Sequence, residues 1–175
     1  LANTLQDLVV RNPRITSIDL IGHSMGGLVS RSALFYGKQN VYSWVNMVEN
    51  LVCLGSPHHG AVLERFGFSL QDKLGHFPLI RLLGHLVNIR SNGILDLRHG
   101  SVRDDDWEHN PLRIGFMDDH RKPAPIPSHI DTYLVAGTIE FENRKNKTLH
   151  VIGDYLVSIK SALGEHPNPR FQLKV

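Results

Sequence analysis

Ser24 stands at the centre of Gly22-His23-Ser24-Met25-Gly26, a Gly-x-Ser-x-Gly pentapeptide, and a serine so placed can serve as a nucleophile. The chemistry asks for a hydroxyl that loses its proton to a neighbouring base and attacks an acyl carbonyl. A sharp turn from strand to helix lifts the hydroxyl clear of the sheet edge, and Gly22 and Gly26 are read as relieving the crowding at that turn. A helix opening at Met25 directs its free N–H groups at the same spot, so the Met25 amide is the expected oxyanion donor. The bland alternative is a plain structural turn, since turns recruit glycine and serine readily.

The flanking residues supply the elements that such a turn needs. Upstream, Ile15, Ile18, Leu20 and Ile21 follow Asn12-Pro13 and predict a short strand. Downstream, Leu28, Val29, Ala33 and Leu34 are spaced for one helical face as far as Gly37. Leu1, Leu5, Leu8 and Val9 follow helical spacing up to Asn12-Pro13, so a helix precedes the strand. A further helical segment around Val41 to Val45 leads to a strand near Val48 to Leu54, closed by Gly55-Ser56-Pro57, and another strand, Thr132 to Ala136, ends at Gly137. Continuous apolar strands alternating with helices predict a mostly parallel sheet with helices on both faces.

At 175 residues, 41% hydrophobic and 21% charged, the chain has globular composition and the length of one domain core. A net charge of +2 with scattered basic residues gives no footprint for nucleic acid, and the one dense run, Arg144 to Lys147, reads as a solvated loop. No apolar stretch reaches membrane-spanning length, so a soluble protein is expected, with the cytoplasm slightly favoured and the compartment open. Cys53, the single cysteine, sits in Leu51-Val52-Cys53-Leu54 and reads as a buried inert thiol. The start at Leu1-Ala2-Asn3 lacks an initiator methionine and suggests that the domain opens mid-fold.

Taken in order along the chain, Gly22 to Gly27, then Leu54-Gly55-Ser56-Pro57-His58-His59-Gly60-Ala61, then Gly153-Asp154-Tyr155-Leu156-Val157-Ser158 with Ser161 to Gly164, resemble the α/β-hydrolase superfamily, and within it bacterial lipases and GPI inositol-deacylase-like α/β domains. The resemblance implies the α/β-hydrolase fold, and it makes Asp154 the acid of a Ser-His-Asp triad; the span from Gly60 to His129, far longer than one connecting helix, predicts a helical cap insertion. Tyr155 stands where that family usually has glycine. Glu140 and Glu142, close behind the last strand, are the competing acids, whereas Asp131 precedes that strand and belongs at the wrong end of the sheet. The superfamily order is serine, acid, histidine. Only His166 follows Asp154, with no room for an intervening strand, so the base is expected beyond Val175, the second oxyanion donor before Leu1, and the chain reads as a partial domain. His166 is the fallback base.

Residues 1–60 are then expected to form the nucleophile half, 61–130 the cap insertion, and 131–175 the acid-loop half. Within the insertion, Leu79, Leu82, Leu83, Leu86 and Val87 predict a helix after Pro78, either a lid over an acyl groove or a connecting helix. Pro123 to Pro127 reads as a stiff return to the last strand. Of the eleven histidines, His23 and His58 are candidate pocket-lining residues, although His58 and His59 read more simply as a satisfied polar loop beside Gly60. Asp104-Asp105-Asp106 and Asp118-Asp119-His120 lack the spacing of a calcium loop and read as solvated acidic turns.

The expected function is hydrolysis of a carboxylic ester, on a small-molecule ester or a lipid acyl ester, through an acyl-enzyme. No metal and no cofactor are expected, no nucleic acid partner, and transient contact with a membrane surface is allowed for; oligomeric state is open. Acyl transfer or thioester cleavage would use the same machinery, and a non-catalytic binding domain of the same fold is the reading from another class.

Overall fold

The computed structural model describes residues 1–60, 96–97, 99–107, 121–138 and 157–175. The elements run in the order α1 (Ala2–Arg11), β1 (Ile18–His23), α2 (Met25–Gln39), a 3-10 turn (Ser43–Met47), β2 (Val48–Leu54), a second 3-10 turn (Asp104–Trp107), β3 (Asp131–Val135) and a single turn of helix, α3 (Ile159–Ala162). The three strands form one parallel sheet in the order β1-β2-β3, with Asp19 to His23 in register with Asn50 to Leu54, and Asn50 to Leu54 in register with Asp131 to Val135. All three therefore end at one edge, where ligands meet parallel sheets.

α1 stops where Asn12 turns its side-chain amide back onto the Leu8 carbonyl at 2.8 Å and Pro13 follows. α2 runs past Gly37, which lies inside the helix because it is needed for packing: a Cβ there would come within 2.7 Å of the Trp44 ring and of Val45. The helix closes instead with a Schellman pattern in which Tyr42 N–H donates to the Gly37 carbonyl at 2.9 Å and Val41 N–H to Lys38 at 3.2 Å, with Val41 at φ 53°. The segment expected to be helical around Val41 to Val45 is the 3-10 turn that delivers Trp44 and Val45 to the core.

Val9, Leu20, Ala33, Leu34, Trp44, Val45, Val48, Leu51, Cys53 and Ile130 form the main core between the sheet and its helices. Leu34 and Leu51 are fully buried, each stabilising the fold by about 1.5–3 kcal/mol. Burial also holds the Cys53 thiol up at about 11, so it is inert as expected. One expectation changes. Val29 shares the predicted face with Leu28, Ala33 and Leu34, yet it is exposed, because the inward stripe of α2 runs through Gly27, Leu28, Arg31 and Leu34. On the strands, Ile21 is 72% exposed, and Tyr133 and Val135 are also exposed.

A smaller cluster, Leu28, Val102 and Ala124, docks the described part of the 61–130 segment against α2. The predicted helix around Leu79 to Val87, the basic run at Arg144 to Lys147 and Asp118-Asp119-His120 lie outside the described residues.

Candidate active site

Ser24 occupies the apex between β1 and α2 with φ 52° and ψ −121°, a conformation that L-residues rarely adopt. Its N–H donates to the Leu54 carbonyl at 2.9 Å, which carries the β1–β2 ladder one residue past the strand and pins the apex to the sheet edge. A serine at a helix N-cap ordinarily turns its hydroxyl back onto the helix amides; this one makes no such bond, so the half-buried hydroxyl remains available. The Met25 amide, first of the helix, has no intrahelical acceptor. No histidine among the described residues is hydrogen-bonded to the Ser24 hydroxyl; His166 instead lies between His59, tilted and 4.8 Å away between ring centres, and Phe171, edge-on at 5.2 Å.

The glycines of the elbow divide the work differently from the expectation. A Cβ on Gly22 would lie 2.6 Å from the Gly26 carbonyl carbon and the Gly27 nitrogen, so strand and helix can cross only with glycine there. A Cβ on Gly26 would meet nothing within 4 Å. The second steric requirement belongs to Gly27, where a Cβ would lie 2.6 Å from Cβ of Ser56 and 3.2 Å from Sγ of Cys53. The close approach is thus between α2 and the end of β2.

His23 is exposed at the end of β1. His58 is 1% exposed, and burial, helped by the adjacent Arg31 guanidinium, pushes it down to about 3. His59 is lowered to about 4, again chiefly by burial. Arg31 Nη1 donates to His58 Nδ1 at 3.4 Å and Nη2 to the Ala124 carbonyl at 3.3 Å, while His58 Nε2 and Arg31 Nε have no partner. The loop after β2 is therefore a buried polar cluster and not the satisfied loop expected from its sequence. Arg31 escaped the sequence reading; its signal was a charge on the inward stripe of α2, between Leu28 and Leu34 at three-residue spacing.

The acidic turn also departs from expectation. Asp106 is buried, not solvated: its carboxylate accepts from the amides of Val102 and Arg103, each at 3.1 Å, and of Lys122 at 2.8 Å. Asp104 is the exposed member, and Asp105 between them is half-buried and drawn down by its 2.8 and 2.6 Å bonds from Arg103 and by the Lys122 ammonium at 3.0 Å. No group of three or more histidine, cysteine or acidic side chains that could hold a metal occurs among the described residues.

Asp154, Glu140 and Glu142 lie outside the described residues. The chain just beyond Asp154 is placed: Ser158 caps α3, and the Ser161 hydroxyl donates to the Gly60 carbonyl at 2.9 Å and accepts from the His59 amide at 3.0 Å. This moors the segment to the loop after β2, on the edge that carries Ser24.

Residues 2–166 match the family described as PGAP1-like alpha/beta domain. The chain belongs to that family. The PGAP1-like domain has the α/β-hydrolase fold, a parallel sheet with helices and a strand–elbow–helix at Ser24, as the three sequence blocks imply. Among solved structures it is similar to the Bacillus licheniformis lipase BlEst2 in mature form, at 19% identity and a TM-score of 0.49 over 99% of this chain. The PGAP1-like domain spans 61% of that lipase chain. No individually curated protein shows significant similarity to it. No helix among its described residues is long and apolar enough to cross a membrane.

Proposed function

We propose that this PGAP1-like domain belongs to a serine ester hydrolase in which Ser24 is the nucleophile, the Met25 amide an oxyanion donor and Asp154 the acid that orients a histidine base. The carrying observation is the backbone of Ser24, held at φ 52° and ψ −121° with its hydroxyl uncommitted to capping. Strain of this kind, on the order of 1–3 kcal/mol, persists only where the surroundings impose it, as Gly22, Gly27 and the Leu54 carbonyl do here.

In the proposed reaction the histidine takes the Ser24 proton as Oγ bonds to the ester carbonyl carbon, and the carbonyl electron pair moves onto oxygen toward the Met25 amide. The tetrahedral intermediate collapses with loss of the alcohol, which receives the proton from the imidazolium. Water, deprotonated by the same histidine, then releases the carboxylic acid and restores Ser24. The mooring of Ser158–Ser161 beside Gly60 supports Asp154 as the acid.

The test is labelling of the intact protein with a fluorophosphonate. The proposal expects one adduct, on Ser24, absent from Ser24→Ala. An intact, folded protein that takes no label, or labels elsewhere, is instead a binding domain of the same fold.

A further inference from the structure

One buried hydroxyl joins the loop after β2 to the segment that carries α3. Ser161, 4% exposed, donates from Oγ to the Gly60 carbonyl at 2.9 Å and accepts at the same atom from the His59 amide at 3.0 Å. A serine hydroxyl has one proton to give and lone pairs to receive, so bonding in both senses fixes its rotamer and its place along the loop. Apolar packing at this spot would hold the segments together without choosing a register, and it would forfeit two bonds to the backbone. Both sides of the junction are themselves held. On the β2 side, the Gly55 amide donates to the Val135 carbonyl at 2.8 Å, the Gly60 amide to the Pro57 carbonyl at 3.0 Å, and Arg121 Nη1 to the His58 carbonyl at 3.2 Å. On the other side, the Ser158 hydroxyl accepts from the Ser161 amide at 3.2 Å, and the Glu165 amide closes the turn onto the Lys160 carbonyl at 2.8 Å, with Gly164 at φ 65°. Ser24 hangs from the same strand end, through its amide on the Leu54 carbonyl. Only Gly55 to Gly60 therefore lie between the residue that holds the nucleophile and the carbonyl that holds Ser161.

We infer that Ser161 is a positioning residue of the proposed hydrolase, its hydroxyl setting where the segment that bears Asp154 lies relative to Ser24. The inference rests on the reading of Ser24 as nucleophile and Asp154 as acid. Asp154 comes four residues before the Ser158 cap, a reach of at most about 14 Å, so the anchor constrains the acid through covalent attachment alone. A triad acid orients its histidine through one hydrogen bond, and a misplacement of about 1 Å is enough to cost much of the rate. Ser161 acts through the acid and not on the substrate.

The test is steady-state hydrolysis of a p-nitrophenyl ester by the intact protein, in a cycle of Ser161→Ala and Asp154→Asn. Ser161→Ala should lower kcat about tenfold and leave KM within about twofold, since the acid is displaced and the substrate contacts are not. Ser161→Thr, which keeps the hydroxyl, should restore most of kcat. In the Asp154→Asn background the same Ser161→Ala change should cost less than about twofold, because the acid through which it acts is already disabled. A hydroxyl that only stabilises the fold would cost the same in both backgrounds. Should Ser161→Ala not fold, Ser161→Cys, similar in shape with a weaker donor and acceptor, takes its place in the cycle and should show a smaller loss of the same pattern. Undiminished kcat in a folded variant, equal losses in both backgrounds, or a change confined to KM overturns the inference while wild-type turnover and labelling at Ser24 stand. A wild type that neither turns over ester nor labels at Ser24 overturns the hydrolase reading itself, and this inference with it.

Discussion

The Ser24 amide donates to the carbonyl of Leu54 at 2.9 Å, so the apex of the elbow is an extension of the sheet and not a free loop. The position of the hydroxyl is set by the ladder between β1 and β2, while the strained φ and ψ keep the side chain from folding back as a helix cap. Two substitutions separate these effects. Ser24→Ala should abolish ester turnover and labelling with little change in melting temperature. Ser24→Gly should also be inactive, yet more stable than Ser24→Ala by about 1 kcal/mol in urea titrations, because glycine adopts positive φ without a clash.

Gly22→Ala and Gly26→Ala should differ in sign although both lie in the pentapeptide. At Gly22 the added carbon strikes the Gly26 backbone at 2.6 Å, and a loss of more than about 2 kcal/mol is expected, of the size seen when a packed interior is overfilled. At Gly26 there is open space in the first turn of a helix, so alanine should be neutral or stabilise by up to about 1 kcal/mol. Equal melting temperatures for the two variants would contradict this account.

Val41 holds the left-handed position after α2 while 88% exposed, a place where a β-branched side chain gains nothing by packing. Val41→Gly should raise stability by about 1 kcal/mol, the relief of backbone strain exceeding the extra freedom of the unfolded chain. Denaturant midpoints of the two proteins check it, and a drop would show that Val41 makes a contact of value.

Stability should fall as the solution is acidified from neutrality. His58 and His59, held neutral in the fold down to about 3 and about 4, take up protons in the unfolded chain below the ordinary value of 6.5. The unfolded state therefore binds more protons throughout that window, each histidine tilting the balance by about 1.4 kcal/mol per pH unit toward unfolding. Melting temperatures measured from pH 7 to about pH 4 should decline, and His58→Gln should flatten the slope even if its stability at pH 7 is lower.

Asp106→Asn should cost about 1–3 kcal/mol, because an amide offers one acceptor oxygen where three backbone N–H groups converge. Asp105→Asn, which loses only partly exposed pairs with Arg103 and Lys122, should cost under about 1 kcal/mol. Urea unfolding of both variants separates the buried carboxylate from the half-buried one.

What the amino-acid order determined alone was local. The pentapeptide, the apolar run before it and the helical spacing after it specify a strand, a tight turn and a helix, and Ser24 as the residue at the apex, because steric crowding at such a turn depends on near neighbours. The same holds for α1, β2 and β3, whose ends fall within a residue or so of their apolar patterns. Tertiary structure alone decided which glycine is indispensable, since Gly27 is constrained by Ser56, a residue far along the chain on β2's trailing loop. It likewise decided that Arg31 and His58 share a buried cluster, that Asp106 is interior while Asp104 faces solvent, and that Val29 and Ile21 are exposed. Burial and electrostatics depend on what the rest of the chain brings alongside, and no spacing within one segment carries that information.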